Sequence, residues 1–154
     1  MLPQRFAHHD RKTTSSGRSV VEGVVEPTVV DASVIVDLLV NGHPLPRAGV
    51  FVAPAHMDAE VLSALGRLHR QAVLNATDVE EMLDDLAALA VERLPLTALL
   101  RPAFALRTNV ALRDALYVVL AQALGATLCT TDAPLARACA EQQLCAVSGA
   151  ARAR

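Results

Sequence analysis

Two aspartates, Asp114 and Asp132, bracket the stretch R-D-A-L-Y-V-V-L-A-Q-A-L-G-A-T-L-C-T-T-D at positions 113–132. Carboxylates brought together in pairs are the side chains that hold a hard divalent cation, so the residues between them decide whether the two can meet. An Ala/Leu/Val-rich helix is closed by Gly125, the residue type that most readily turns left-handed at a helix end, and a β-prone run at 127–130 follows. About 11 residues of helix descend roughly 16 Å, and about 6 residues of strand climb back roughly 20 Å. Asp114 and Asp132 are therefore expected at one edge. A helix start and a strand end meet there, outside the carboxyl ends of the strands, where open α/β sheets bind ligands.

The remaining elements supply further candidates. Residues 1–26 mix His, Arg, Ser, Thr and Gly without apolar periodicity and read as a disordered tail, in which the adjacent His8 and His9 are a solvated pair rather than a metal site. The fold is expected to begin at Pro27. Thr28-Val29-Val30 has the character of a buried strand, and Asp31-Ala32-Ser33 leads into a helix at 34–40 stopped by Asn41-Gly42. Asp31 then ends the first strand, either as a cation ligand or merely as a helix cap. Asp37 lies within that helix and is expected to face solvent.

A Pro/Gly-punctuated loop at 43–49 precedes a second strand, Val50-Phe51-Val52-Ala53, after which Pro54 is expected to open a helix lasting to about Gln71. On that helix Glu60, Ser63, Ala64 and Arg67 share one face, while Val61, Leu62, Leu65 and Leu68 form the apolar side. Asp58 and Glu60 stand about 200° apart around the axis, so only Glu60 suits the cleft; a solvated glutamate is the plainer alternative.

Thr77-Asp78-Val79-Glu80 reads as a capping box opening the next helix, with Glu80, Glu81, Asp84 and Asp85 as a solvated face. Val91-Glu92-Arg93-Leu94 is a short strand, and 97–108 a helix in which Pro102 is tolerable only near the start or at a kink. Arg101 and Arg107 are either phosphate contacts or ordinary surface arginines. Asp132-Ala133-Pro134 begins a last helix to about Gln142, 144–148 is a closing strand, and 149–154 a loose tail. Alternating βα units with short links imply an α/β fold: a three-layer α/β/α sandwich around a mainly parallel sheet, spanning 27–148.

Composition narrows the class. A chain of 154 residues with 53% apolar content suits one buried core rather than two. Aromatics are scarce, so Leu, Val and Ala must fill it. Cys129, Cys139 and Cys145 are odd in number and lack metal-type spacing, which marks them as reduced side chains of a cytoplasmic protein. Every apolar run is broken well short of the roughly 20 residues a membrane span needs. Arg5, Arg11, Lys12 and Arg18 outnumber Asp10 in the first 18 residues, leaving the remainder of the chain acidic. Bulk positive charge is thus excluded as the means of holding nucleic acid, and any phosphate chemistry must use local arginines and bound metal.

Four segments in order, Val29-Val30-Asp31-Ala32-Ser33, Glu60-Val61-Leu62-Ser63-Ala64-Leu65, the run from Arg113-Asp114-Ala115 to Gly125, and Leu128-Cys129-Thr130-Thr131-Asp132, together resemble a PIN domain of the VapC toxin group over about 28–148. The resemblance implies that Asp31, Glu60, Asp114 and Asp132 form the acidic Mg²⁺/Mn²⁺ site of a ribonuclease, with Ser33 and Thr130 as supporting hydroxyls. Asp31 and Asp114 would be the principal ligands, Asp132 a second or outer ligand, and Glu60 a ligand or a base that positions water. It also implies hydrolysis leaving a 5′-phosphate and a 3′-hydroxyl, a homodimer, and a VapB-like antitoxin that lays an extended segment in the groove. Arg113 departs from the aromatic residue often found before the third acid. Asn109 falls where a small polar residue is common, without an assigned role.

The chemistry is coherent with those residues. Clustered carboxylates raise one another's pKa values, and a hard dication relieves the repulsion while organising phosphodiester hydrolysis. Rival readings fit less well. A receiver-like phosphoacceptor domain would pair early acids with a late lysine, but Lys12 is the one lysine here. A dehalogenase-like phosphatase would place a second Asp at position 33, which is Ser33. A catalytically silent PIN-like binding module is the alternative from another class.

Overall fold

The computed structural model describes residues 25–46 and 49–149; expectations for the tails, including His8 and His9, lie largely outside them. Thr28–Val30 forms β1, with Val29 and Val30 sealed from solvent as an apolar run with neighbours on both sides should be. After it come α1 (Ala32–Asn41), β2 (Phe51–Pro54), α2 (Met57–Arg70), α3 (Ala76–Ala88) and β3 (Val91–Leu94). The second half holds α4 (Thr97–Ala105), α5 (Leu112–Leu124), β4 (Thr127–Cys129), α6 (Ala133–Glu141) and β5 (Val147–Ser148).

All five strands are parallel, in the order β3-β2-β1-β4-β5. The chain moves outward from β1 through β2 and β3, then returns to β1's other side for β4 and β5. That reversal opens a crevice between the carboxyl ends of β1 and β4. Helices α1, α2 and α3 pack on one another, α4 packs on α5, and α5 lies against β1, β2 and β4. The result is the three-layer α/β/α sandwich expected.

The core gathers Val29, Val30, Ala53, Leu128 and Cys129 from the sheet with Ile35, Val61 and Leu65 from the first helices. Helix α5 is its centre: every residue from Ala115 to Ala121 is buried. Gly125 ends it at φ 60°, as the left-handed stop requires. Glu80, Glu81, Asp84 and Asp85 are exposed, and Cys129, Cys139 and Cys145 are free thiols. Burial, with Cys145 beside it, pushes the Cys139 thiol up to about 12. Among the described residues no helix is long and apolar enough to cross a membrane.

Several local expectations are corrected. Pro54 does not open a helix; it ends β2 opposite Leu94 of β3, where the next residue's Ala55 N donates to the Leu94 carbonyl at 2.8 Å, and α2 begins at Met57. The capping box belongs to Asn75 and Asp78, whose side chains and backbone N–H groups bond reciprocally at 2.9 and 2.8 Å, so the cap stands at Asn75 rather than Thr77 and the helix starts correspondingly earlier. Leu62 is 52% exposed, because α2 buries Val61 and Leu65 and turns Leu62 outward. Asp37 is partly buried rather than solvated, bonding Asn41 at 2.8 Å and His43 Nδ1 at 2.8 Å. Helix α1 is longer than expected, β4 ends at Cys129, α4 stops at Ala105 with Pro102 inside it, and β5 is only two residues.

Candidate active site

Asp31 follows β1 directly, and one carboxylate does two things there. Its Oδ1 accepts from Val34 N at 3.2 Å, capping α1, and from Ser33 Oγ at 2.6 Å. Its Oδ2 accepts from Thr130 Oγ1 at 2.5 Å, just past the end of the neighbouring β4. Capping and cleft position are therefore not alternatives: the cap aims the side chain along the crevice. The hydroxyls are held in turn, since Thr131 N donates to Ser33 Oγ at 3.0 Å and Asp132 N to Thr130 Oγ1 at 2.9 Å. Burial pushes the Asp31 carboxyl above its ordinary range, against the pull of these donors.

Asp132 caps α6, its Oδ1 accepting from Leu135 N at 2.9 Å. Asp114 sits in the first turn of α5, half-buried. Its carboxyl is also raised, chiefly by burial and further by Asp132 and Glu60, while Arg113 and His56 oppose the rise. Both acids reach the same edge, as the helix-and-strand arithmetic required.

Glu60 arrives from α2 with both oxygens occupied. Tyr117 Oη donates to Oε2 at 2.6 Å, and Arg113 Nε to Oε1 at 2.5 Å. His56 Nε2 lies 3.5 Å from Oε2 and 3.2 Å from the Arg113 carbonyl oxygen. Both neighbours are acceptors, which places a proton on Nε2. His56 Nδ1 is buried without a hydrogen-bond partner among the described residues, and its ring tilts against Tyr117 at 4.8 Å between centroids.

Asp31, Glu60, Asp114 and Asp132 thus line a single cleft of about 630 Å³, together with Ser33, His56, Arg67, Arg113 and Tyr117. Thr130 lies beneath it, buried. The face Glu60, Ser63, Ala64, Arg67 turns into the cleft as one stripe. Asp58 does not; it pairs with Arg93 at 3.2 Å. Arg101 and Arg107 do not line the cleft either, Arg107 lying over the Phe104 ring. Asn109 is engaged with Gln142.

Sequence reasoning missed His56 and Tyr117 and left Arg67 and Arg113 without roles. The signals were present: His56 stands at the carboxyl end of β2 and one helical turn before Glu60, and Tyr117 one turn after Asp114. Tyr117 was hidden inside an apolar run.

The donor set is all oxygen, hard, and in Asp31 and Asp114 reluctant to ionise alone, which suits Mg²⁺ or Mn²⁺. Among the described residues no three His, Cys, Asp or Glu side chains form a ready-made metal-holding group. Mg²⁺ does not require one, since it keeps several waters and is held by one or two carboxylates with substrate phosphate. The residues fit such an ion.

A family model, the PIN domain, matches residues 28–141. Ribonuclease VapC3 of Mycobacterium tuberculosis is 46% identical over 121 residues, covering 73% of this chain and 88% of that protein. Ribonuclease VapC9 of the same species is 36% identical over 107 residues, covering 68% and 84%. The solved structure of VapBC2 from Rickettsia felis, bound to a DNA fragment from their promoter, has a similar fold, with TM-score 0.56 and 15% identity over 80% of this chain and 98% of that one. By family match, relatives and fold together, the chain belongs to the PIN-domain family, among its VapC-type ribonucleases.

Proposed function

We propose that this protein is a Mg²⁺- or Mn²⁺-dependent endoribonuclease and the toxin of a toxin–antitoxin pair, restrained by a VapB-like antitoxin and working as a homodimer. The convergence of Asp31, Glu60, Asp114 and Asp132 on one cleft is the observation that carries the reading. Its relatives named ribonucleases and the VapBC2 assembly support it.

In this reading Asp31 and Asp114 hold the ion, and Asp132 is a second or outer ligand. When bound, the dication supplies positive charge to the scissile phosphate and eases deprotonation of the attacking water. Ser33 and Thr130 keep the Asp31 carboxylate in one orientation by donating to its two oxygens. Glu60 reaches the cleft as a ligand or as the base that positions water. Arg67 and Arg113 supply positive charge within the cleft of a chain whose net charge is −2. Hydrolysis of this kind leaves a 5′-phosphate and a 3′-hydroxyl.

The experiment is RNA cleavage with and without chelator. Purified protein is expected to cut RNA with Mg²⁺ or Mn²⁺ and to stop in EDTA. Asp31→Asn and Asp114→Asn should each cost more than the roughly 10- to 100-fold that loss of an outer partner costs, while Asp37→Asn retains activity. Equal rates in all three variants would overturn the assignment. The Arg113 contact to Glu60 is the one feature that favours a catalytically silent module; wild-type protein that binds RNA but never cleaves it, at any Mn²⁺ level, would select that reading.

A further inference from the structure

Glu60 is held asymmetrically. The Tyr117 hydroxyl that grips Oε2 is buried deep in α5, 1% exposed, and cannot leave without disturbing the core. The Arg113 side chain that grips Oε1 is 69% exposed, and its contact is made through Nε. A guanidinium standing mostly in water holds such a pair weakly, and the planar fork it still presents matches a phosphate. With Arg113 in place both Glu60 oxygens are already engaged, and no three His, Cys, Asp or Glu side chains among the described residues form a ready-made metal-holding group.

From this asymmetry we infer that Arg113 is a substrate-responsive counter-ion. In the free protein it occupies Glu60; when RNA enters, its guanidinium passes to a backbone phosphate. One Glu60 oxygen is thereby released toward Asp31, Asp114 and Asp132, while Tyr117 keeps the other anchored. Arg113 and Tyr117 are positioning residues in this scheme, acting through Glu60. Arg67, which lines the same cleft from α2 while the ion-pair partners of Glu60 among the described residues are Arg113 and His56, is the internal control for charge alone. The inference rests on the metal-dependent reading of the site and deepens it.

The test is a double-mutant cycle read by Mn²⁺ binding to the full chain without RNA, using calorimetry or the loss of free-ion EPR signal. Arg113→Gln should tighten Mn²⁺ several-fold, and the gain should vanish in the Glu60→Gln background; coupling between contacting residues is what such a cycle isolates. Arg67→Gln should not reproduce it. A second readout is the affinity for a single-stranded RNA oligonucleotide in EDTA at varied salt, where Arg113→Gln should lower the slope of log K against log[salt] by about 0.7, the value of one phosphate contact. A gain that persists without Glu60, or that Arg67→Gln matches, would reduce the effect to net charge and overturn the inference; an unchanged salt slope would overturn the transfer to phosphate. Wild-type protein that takes up no Mn²⁺ would overturn the metal-dependent reading itself, and with it this one, whereas uptake that Asp31→Asn weakens but the Arg113 cycle does not move overturns the counter-ion alone.

Discussion

Asp114 carries a conflict that a neutral side chain would not. Burial, Asp132 and Glu60 raise its carboxyl above the ordinary 3.8, so folding favours the protonated form. The stabilising contribution of that proton is complete below the unfolded value and is lost as pH rises through the folded one. At neutral pH, without metal, the ionised group therefore opposes folding. Asp114→Asn is expected to raise the melting temperature of the metal-free protein at pH 7, by an amount that shrinks as pH is lowered into the carboxylate range. If the acids hold a cation as proposed, saturating Mn²⁺ should reverse the order, because a wild type that binds the ion would gain stability and the variant would gain less. Scanning fluorimetry at several pH values, with and without Mn²⁺, measures both; a metal-free variant that melts lower than wild type at pH 7 would count against the burial argument.

At the scale of elements, α5 is both the core helix and the carrier of Asp114 and Tyr117, so its ends matter as much as its faces. Gly125 closes it at φ 60°, and a Cβ there would meet no atom within 4 Å. Gly125→Ala should therefore be destabilising through backbone strain alone, by about 1–2 kcal/mol. A chemical denaturation midpoint that falls with an unchanged slope would agree with this, and an unchanged midpoint would refute it. Elements were legible in the sequence where a local signal was strong, as with Gly125, the solvated acids of α3 and the strand of Val91 to Leu94. They were misjudged where two signals competed. Proline favours a helix opening, which is the expectation at Pro54, but it ends β2 opposite Leu94, where the bond to β3 is donated by Ala55 N and needs no N–H from the proline. Leu62 was assigned to the core by periodicity, although the buried stripe of α2 is narrower than its apolar one.

For the molecule as a whole, net charge and strand order set the terms of RNA binding. The chain carries a formal −2, and Arg67 and Arg113 are the arginines that line the cleft among the described residues. Binding held by two such contacts should show a log K against log[salt] slope of about −1.4 for single-stranded RNA. A filter-binding series in EDTA would test that value. A slope several times steeper would reveal a larger basic surface elsewhere.

What the sequence by itself determined was the placement of acids relative to the ends of their own elements: Asp31 after β1, Asp114 at the start of α5, Asp132 after β4. Rise per residue and capping preference are local, so these positions follow from spacing alone. Only the tertiary structure decided what each carboxylate touches. Thr130 reaches Asp31 across 99 positions and Tyr117 reaches Glu60 across 57. Such pairings depend on strand order and on how α2 and α5 pack, for which neither periodicity nor capping carries any signal.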